Sequence, residues 1–403
     1  MEHSWMRPAS VGVTTALVGF TSSVAVLIAG LSAVGATPAE ASSGLLSLCL
    51  TVGVGTMLLA WRLRIPVTLA WSTPGAALLA TQASLGWPAA VGAFMLTGVL
   101  ICAVGLWPWL GRVVAAIPAA LAQGMLAGVL VPLCLVPVTG LAAAPWHVAP
   151  VVALWIVLQR AAPRWATPAA FAAGLVVIVL EAGPAAVDAA TAPSLVVVAP
   201  HLTWAAAAGI AVPLTVVTMA SQNVPGVAVL ASAGYRVPWR AAMLTTGAGT
   251  VLGAAAGGHA INLAAITAAL PASPDAAPDP RRRWIAAFAA GASYIVLAGT
   301  GATLVGLSRA GTSEILGVVA GLALLPTLGA ALAGAFAHAE ERLPAAAAFV
   351  LAASGTTLGG IGAAFWALLA GLGVRAVMRA TSIGTFALTL PPGGRNTVKT
   401  WRS

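Results

Sequence analysis

Apolar residues run along this chain in long blocks separated by short polar joints. The blocks read as Val11 to Val34, Ser43 to Ala60, Ile65 to Ala83, Ala89 to Leu106, Ala119 to Val138, Val148 to Leu158 and Ala166 to Ala182 in the first half. Trp204 to Val224, Pro238 to Ala256, Gly257 to Leu270, Trp284 to Leu307, Ile315 to Phe336, Pro344 to Ser354 and Leu358 to Met378 follow in the second. Fourteen blocks predict fourteen membrane-spanning segments, the sixth, tenth and thirteenth being short for a crossing of roughly 20 residues.

The third block, IPVTLAWSTPGAALLATQA, is long enough to cross a bilayer but holds Pro66 and the Pro74-Gly75 pair inside it. Irregular backbone at membrane depth survives only where protein or a wet cavity satisfies the released amides and carbonyls, so a broken span points to a binding site. Pro66 to Ala70 suits a short extended piece. Ser72 or Thr73 before Pro74 reads as a helix start, whose unpaired amides and partial positive charge would favour an anion near the membrane centre.

The longest polar interruption before mid-chain, Gly183 to Thr203, carries Asp188, Pro193 and His201 and divides seven blocks from seven. An odd number of spans per half inserts the second half upside down, so internal similarity implies an inverted repeat. Ala16 to Ser23 lines up with Thr215 to Gln222, and Gly35 meets Gly234 at the same offset of 199. Thr68-Leu69-Ala70-x-x-Thr73 meets Asn262-Leu263-Ala264-x-x-Thr267 at an offset of 194. The repeat makes Gly257 to Thr267 the partner of the broken third span: Gly257-Gly258 interrupts the helix, Ile261 and Leu263 alternate with Asn262, and a short helix begins near Ala264. Two half-helix starts would then face each other.

Composition places these blocks in a membrane: of 403 residues, 60% are hydrophobic and 7% charged, with a mean hydropathy of +1.00. The first block reads as a retained span, because no short apolar core ends in a small-residue cleavage site. With a cytoplasmic N-terminus, fourteen crossings put all but one of the 18 basic residues inside, only Arg309 falling outside. The net charge of +9 is therefore a topology signal scattered through short loops, with no nucleic-acid patch. Cys49, Cys102 and Cys134 lie in apolar runs and suggest neither a disulfide framework nor a metal site.

The polar inventory of the spans is short. Thr21, Ser22 and Ser23 can bond a ligand or their own helix's carbonyls. Gln222 and Asn223 are two adjacent amides, costly to leave unpaired in hydrocarbon, and Pro225-Gly226 is expected to stop or unwind the helix just beyond them. His259 alone among the histidines falls in a discontinuous span, suited to proton coupling or to a bond with a carbonyl. No carboxylate, lysine or arginine lies mid-span, and no acid pair, nucleophile with its base, metal-ligand set or phosphate loop is present, which argues against an enzyme or an ATP-driven pump. No cofactor is implied, and energy would come from an ion gradient.

TLAWSTPGAALLA from Thr68, MASQNVPGVAVLASAGY from Met219 and GGHAINLAAITAAL from Gly257 resemble the bacterial benzoate/proton symporter family of the BenE type, over essentially all fourteen spans. That family is similar in architecture to uracil/proton and SulP-type anion transporters. The resemblance implies an all-α polytopic membrane protein with a seven-plus-seven inverted repeat (11–183 and 204–379), and a short strand with a half-helix in segments 3 and 10. It implies a core domain (11–107 and 204–307), a gate domain (108–183 and 313–379), and possible pairing of two copies through the gate. Import of benzoate or a related aromatic carboxylate with a proton across a bacterial inner membrane, both termini cytoplasmic, is the expected activity. The substrate site would draw on Phe20, Thr21, Trp71, Ser72, Thr73, Gln222, Asn223, Ala265, Ile266 and Thr267, with His259 the proton-coupling candidate. Uracil-type relatives carry acids on the eighth and tenth spans where this chain has Gln222, Asn223 and His259, a departure that suits an anionic ligand and leaves the proton route open. A carrier for another small anion or a nucleobase, or a passive anion channel, are the competing readings.

Overall fold

A computed structural model describes residues 5–82, 85–183, 194–265, 267–310 and 314–388. The first crossing is made of α1 (Met6–Thr21) and α2 (Val24–Ala33), separated by a break at Ser22-Ser23. α3 (Pro38–Leu63) opens on a complete capping box: Thr37 accepts from the Glu40 amide while Glu40 accepts from the Thr37 amide, with Pro38 in the first turn. It ends at Arg64, whose left-handed φ of 56° redirects the chain. β1 (Leu69–Trp71) and α4 (Thr73–Ala80) come next, then α5 (Trp87–Leu106), α6 (Pro108–Ala116), α7 (Ala119–Ala143), α8 (Pro145–Ala161) and α9 (Pro163–Ala182).

The second half repeats the order: α10 (Trp204–Ser232), α11 (Trp239–Ala254), β2 (Ile261–Leu263), α12 (Ala269–Ala272), α13 (Trp284–Leu297) and α14 (Gly301–Ala310). α15 (Glu314–Ala335), α16 (Arg342–Ala353) and α17 (Ala363–Leu388) complete it. Among the described residues, nine helical stretches are long and apolar enough to cross a membrane. The shorter α8, α11 and α16 and the two strand-bearing segments fall at the other predicted positions, consistent with fourteen segments in a multi-pass membrane protein.

The inverted repeat is written into the hydrogen bonds. β1 and β2 form an antiparallel two-stranded sheet with Ala70 opposite Asn262, as a two-fold axis in the membrane plane requires. Leu69 donates its amide to Thr56 Oγ1 at 2.9 Å, and Ile261 donates to Thr250 Oγ1 at 3.0 Å; the two threonines sit on the second crossing of each half. The matched glycines close equivalent helix ends. At Gly35 (φ 104°) the Ala36 amide reaches Leu31 O, and at Gly234 (φ 86°) the Tyr235 amide reaches Leu230 O, the six-to-one bond of a Schellman cap. Strand centres lie two residues from the offset of the sequence match, a slip that keeps each side chain on its own face.

Helix packing is reciprocal as well. α5 packs on α11 and α3 on α13, while α15 and α16 both pack on α7, and α8 lies on α9. Small residues permit these approaches: a methyl group on Gly30 would collide with Ala76 O, so α2 and α4 meet backbone to backbone.

Two expectations are corrected. α10 does not stop at Pro225-Gly226; it continues to Ser232, and the strain is absorbed upstream by wide, π-type turns at Met219–Asn223. The same device, at Ala207–Ala211, precedes Pro213. A proline clashes with the carbonyl four residues back, Ser221 and Gly209 here, and the wider turn moves that carbonyl aside. In segment 10 the helix begins at Ala269 and not near Ala264, and spans four residues. Pro271 explains the delay, because a helix running from Ala264 would set its ring against Thr267 O, whereas a start at Ala269 puts it in the first turn, where no donor is needed.

Candidate functional site

The β1–α4 junction is held by buried bonds. Ser72 caps α4 by accepting from the Gly75 amide at 3.1 Å, and its Oγ also accepts from Thr218 Oγ1 at 2.8 Å. Its backbone amide donates to Ala260 O at 2.9 Å, and its carbonyl lies 3.1 Å from His259 Nε2. A carbonyl only accepts, so this contact makes Nε2 the protonated ring nitrogen. Nδ1 is left without a partner among the described residues, and the imidazole packs edge-on with the Phe94 ring.

In this sheet the even-numbered residues face across the ladder, so the amides of Leu69, Trp71, Ile261 and Leu263 point outward. Three have side-chain acceptors: Thr56, Thr250 and, for Leu263, Asn223 Oδ1 at 2.9 Å. The amide of Trp71 has none among the described residues. It sits one residue before the cap of α4, an eight-residue helix whose first-turn amides and dipole add to the same positive end.

This junction borders a cavity of about 220 Å³, below the roughly 300–1,000 Å³ of sites for drug-sized ligands and suited to a single-ring molecule. One wall comes from Gly19, Ser22 and Ser23 at the α1–α2 break, from Ala70, Trp71 and Thr73, and from Gln222 in the wide turn of α10. Ala264, Ala265 and Thr267, after β2, complete that wall. Arg164 and Thr167 on α9 and Pro326 and Thr327 on α15 also line the cavity.

Of the predicted residues, Trp71, Thr73, Gln222, Ala265 and Thr267 therefore come together, and Ile266 lies outside the described residues. Asn223 does not line the cavity: it is fully buried, accepting from Leu263 and directing Nδ2 at Met219 Sδ. Ser72 and His259 are likewise sealed behind the wall. Phe20 packs edge-on against Trp71 with ring centroids 5.7 Å apart, and Tyr294 does the same at 5.6 Å. Phe20 thus sets the indole's position without touching the cavity. Thr21 donates to Leu17 O, and Ser22 and Ser23 both donate to Gly19 O, bonding to their own helix.

Sequence reasoning missed the lining residues of α9 and α15. Pro326-Thr327 within an apolar block carried a usable signal, a kink with a hydroxyl beside it. Arg164 carried none, since in a polar joint it reads as one topology charge among many.

Residues 5–377 match the family described as benzoate membrane transport protein. The inner membrane protein YdcO of Escherichia coli (strain K12) is 37% identical over 362 residues, covering 89% of this chain and 93% of that protein. The benzoate membrane transport protein of Acinetobacter baylyi is 26% identical over 377 residues, covering 92% of this chain and 95% of that protein. Among solved structures, the transmembrane domain of a cyanobacterial bicarbonate transporter, BicA, superposes with a TM-score of 0.58 at 16% identity, covering 92% of this chain and 98% of that one. Murine Slc26a9, an anion transporter in the inward-facing state, gives 0.66 at 12% identity, covering 96% and 69%. At such identities the structural likeness is one of fold. The family match spans nearly the whole chain, and the protein belongs to the BenE family of benzoate membrane transport proteins, transporters and not enzymes.

Proposed function

We propose that this protein is a secondary active carrier that brings benzoate or a similar aromatic carboxylate into the cell together with a proton, across a bacterial inner membrane with both termini cytoplasmic. The carboxylate accepts from the outward amide of Trp71 and from the start of α4, with Gln222 and Thr267 alongside. The observation that carries this reading is the Trp71 amide, the one outward strand amide without a described acceptor, at a helix start beside a ring-sized cavity. The ring occupies the apolar part of the cavity between Trp71 and Pro326. Helices of 11–107 and 204–307 form the moving core and those of 108–183 and 313–379 the gate, so the cavity lies on their boundary and relative motion opens it to one side at a time.

His259 is the proton's proposed acceptor. Its Nδ1 is open, and its Nε2 holds the carbonyl of the residue that caps α4, so protonation and carboxylate binding act on the same junction. Uptake of labelled benzoate into proteoliposomes tests the reading. Accumulation driven by an inward proton gradient is expected, with the gradient dependence lost in His259→Asn. Uptake that merely equilibrates, or currents without accumulation, would sink symport and favour a channel.

A further inference from the structure

We propose that Arg164 makes this carrier select an anion, supplying a counter-charge to the bound carboxylate from the start of α9. The inference rests on the carboxylate reading above and deepens it. Among the described residues lining the cavity, Arg164 alone is ionisable. The others that can reach a ligand's oxygen, such as Thr73, Gln222, Thr267 and Thr167, are neutral donors, and neutral donors serve an amide oxygen nearly as well as a carboxylate. Dipoles and hydroxyls therefore recognise an oxygen, whereas a guanidinium recognises its charge.

The position of Arg164 is informative against the alternative that it serves topology alone. Arg160 lies in the last turn of α8, where a cation complements the helix dipole. Arg164 is the second residue of α9, in the first turn, where a cation opposes it, and the residue before the helix, Ala162, offers no side-chain cap. A topology signal needs no such place. No described carboxylate neutralises Arg164, so its charge is available to a ligand. Because α9 belongs to the proposed gate while Trp71, Thr73 and Gln222 belong to the proposed core, a carboxylate in the cavity is contacted from both sides of the moving boundary. A neutral analogue would be held by one side only.

The test measures binding of benzoate and of benzamide, its neutral isostere, to purified wild-type protein, Arg164→Gln and Arg164→Lys, with melting temperature recorded for each. Wild type should prefer benzoate, and its benzoate affinity should fall between about 20 and 300 mM salt as the pair is screened. In Arg164→Gln, benzoate affinity should drop roughly tenfold with benzamide unchanged and the salt dependence gone, and Arg164→Lys should restore most of both. A folded Arg164→Gln protein with the wild-type benzoate-to-benzamide ratio and salt dependence overturns the role of Arg164 while leaving the carboxylate site standing. A wild type that binds no aromatic carboxylate overturns the substrate reading, and this inference falls with it.

Discussion

On the first strand the outward amide of Leu69 is taken by Thr56 and that of Trp71 by no described group; on the second, Ile261 is taken by Thr250 and Leu263 by Asn223. The first strand leads into an eight-residue helix with Ser72 as its cap, the second into a turn and four helical residues. Duplication built a symmetric frame, since the threonines and the paired strands match across the two halves. Departure from symmetry then divided the labour. The first strand leaves one outward amide open beside the cavity, and the second has both of its outward amides bonded.

The sharpest way to break that contrast is to exchange the fates of two neighbours. Asn223→Ala leaves the Leu263 amide buried without an acceptor, at a cost of about 1–3 kcal/mol, and should lower the melting temperature of the purified protein markedly. Gln222→Ala removes a cavity-lining donor and leaves the frame intact, so benzoate affinity should fall roughly tenfold, the worth of a hydrogen bond to a charged group, at an unchanged melting temperature. If both variants behave alike, the division between binding and bracing fails.

A smaller effect should appear at the symmetric threonines. Thr56→Val and Thr250→Val each leave one buried strand amide without its acceptor, at about 1–3 kcal/mol, but unlike Asn223→Ala they keep the volume of the side chain. Because the two bonds are equivalent, thermal unfolding should show similar losses. A large disparity would mean that one strand has an alternative acceptor and that the sheet is less symmetric than its register.

Much of this was legible in the sequence because it rests on local backbone chemistry. Pro66 and Pro74 broke the third span, and Ser72 offered a cap whatever its surroundings. The adjacent amides show where such reasoning stops. Gln222 and Asn223 are interchangeable in composition, but successive residues on a helix diverge by about 100°, and which one meets the cavity depends on how α10 is rotated in its packing. The wide turn at Met219–Asn223 sets that rotation, and its cause, Pro225, suggested a helix end instead. Arg164 was hidden for a different reason: the cavity is closed by elements almost a hundred residues from Trp71 in sequence, and no periodicity records that meeting.

The smallest predicted effect tests the frame far from the cavity. Gly35 and Gly234 end their helices at φ values of 104° and 86° with the same bonding around each, and an alanine there incurs a backbone cost of roughly 1–2 kcal/mol from its Cβ. At Gly234 an added methyl group would meet nothing within 4 Å, so Gly234→Ala measures the backbone cost with no collision added. Gly35→Ala should match it in thermal unfolding if the two caps remain equivalent, and neither should change benzoate affinity. Equal losses here beside unequal roles for Trp71 and Leu263 would place the divergence of the two halves at the membrane centre, where the ligand binds. A loss of affinity in Gly35→Ala alone would instead extend the asymmetry along α2, which packs on α4, and would make that helix part of the site's support.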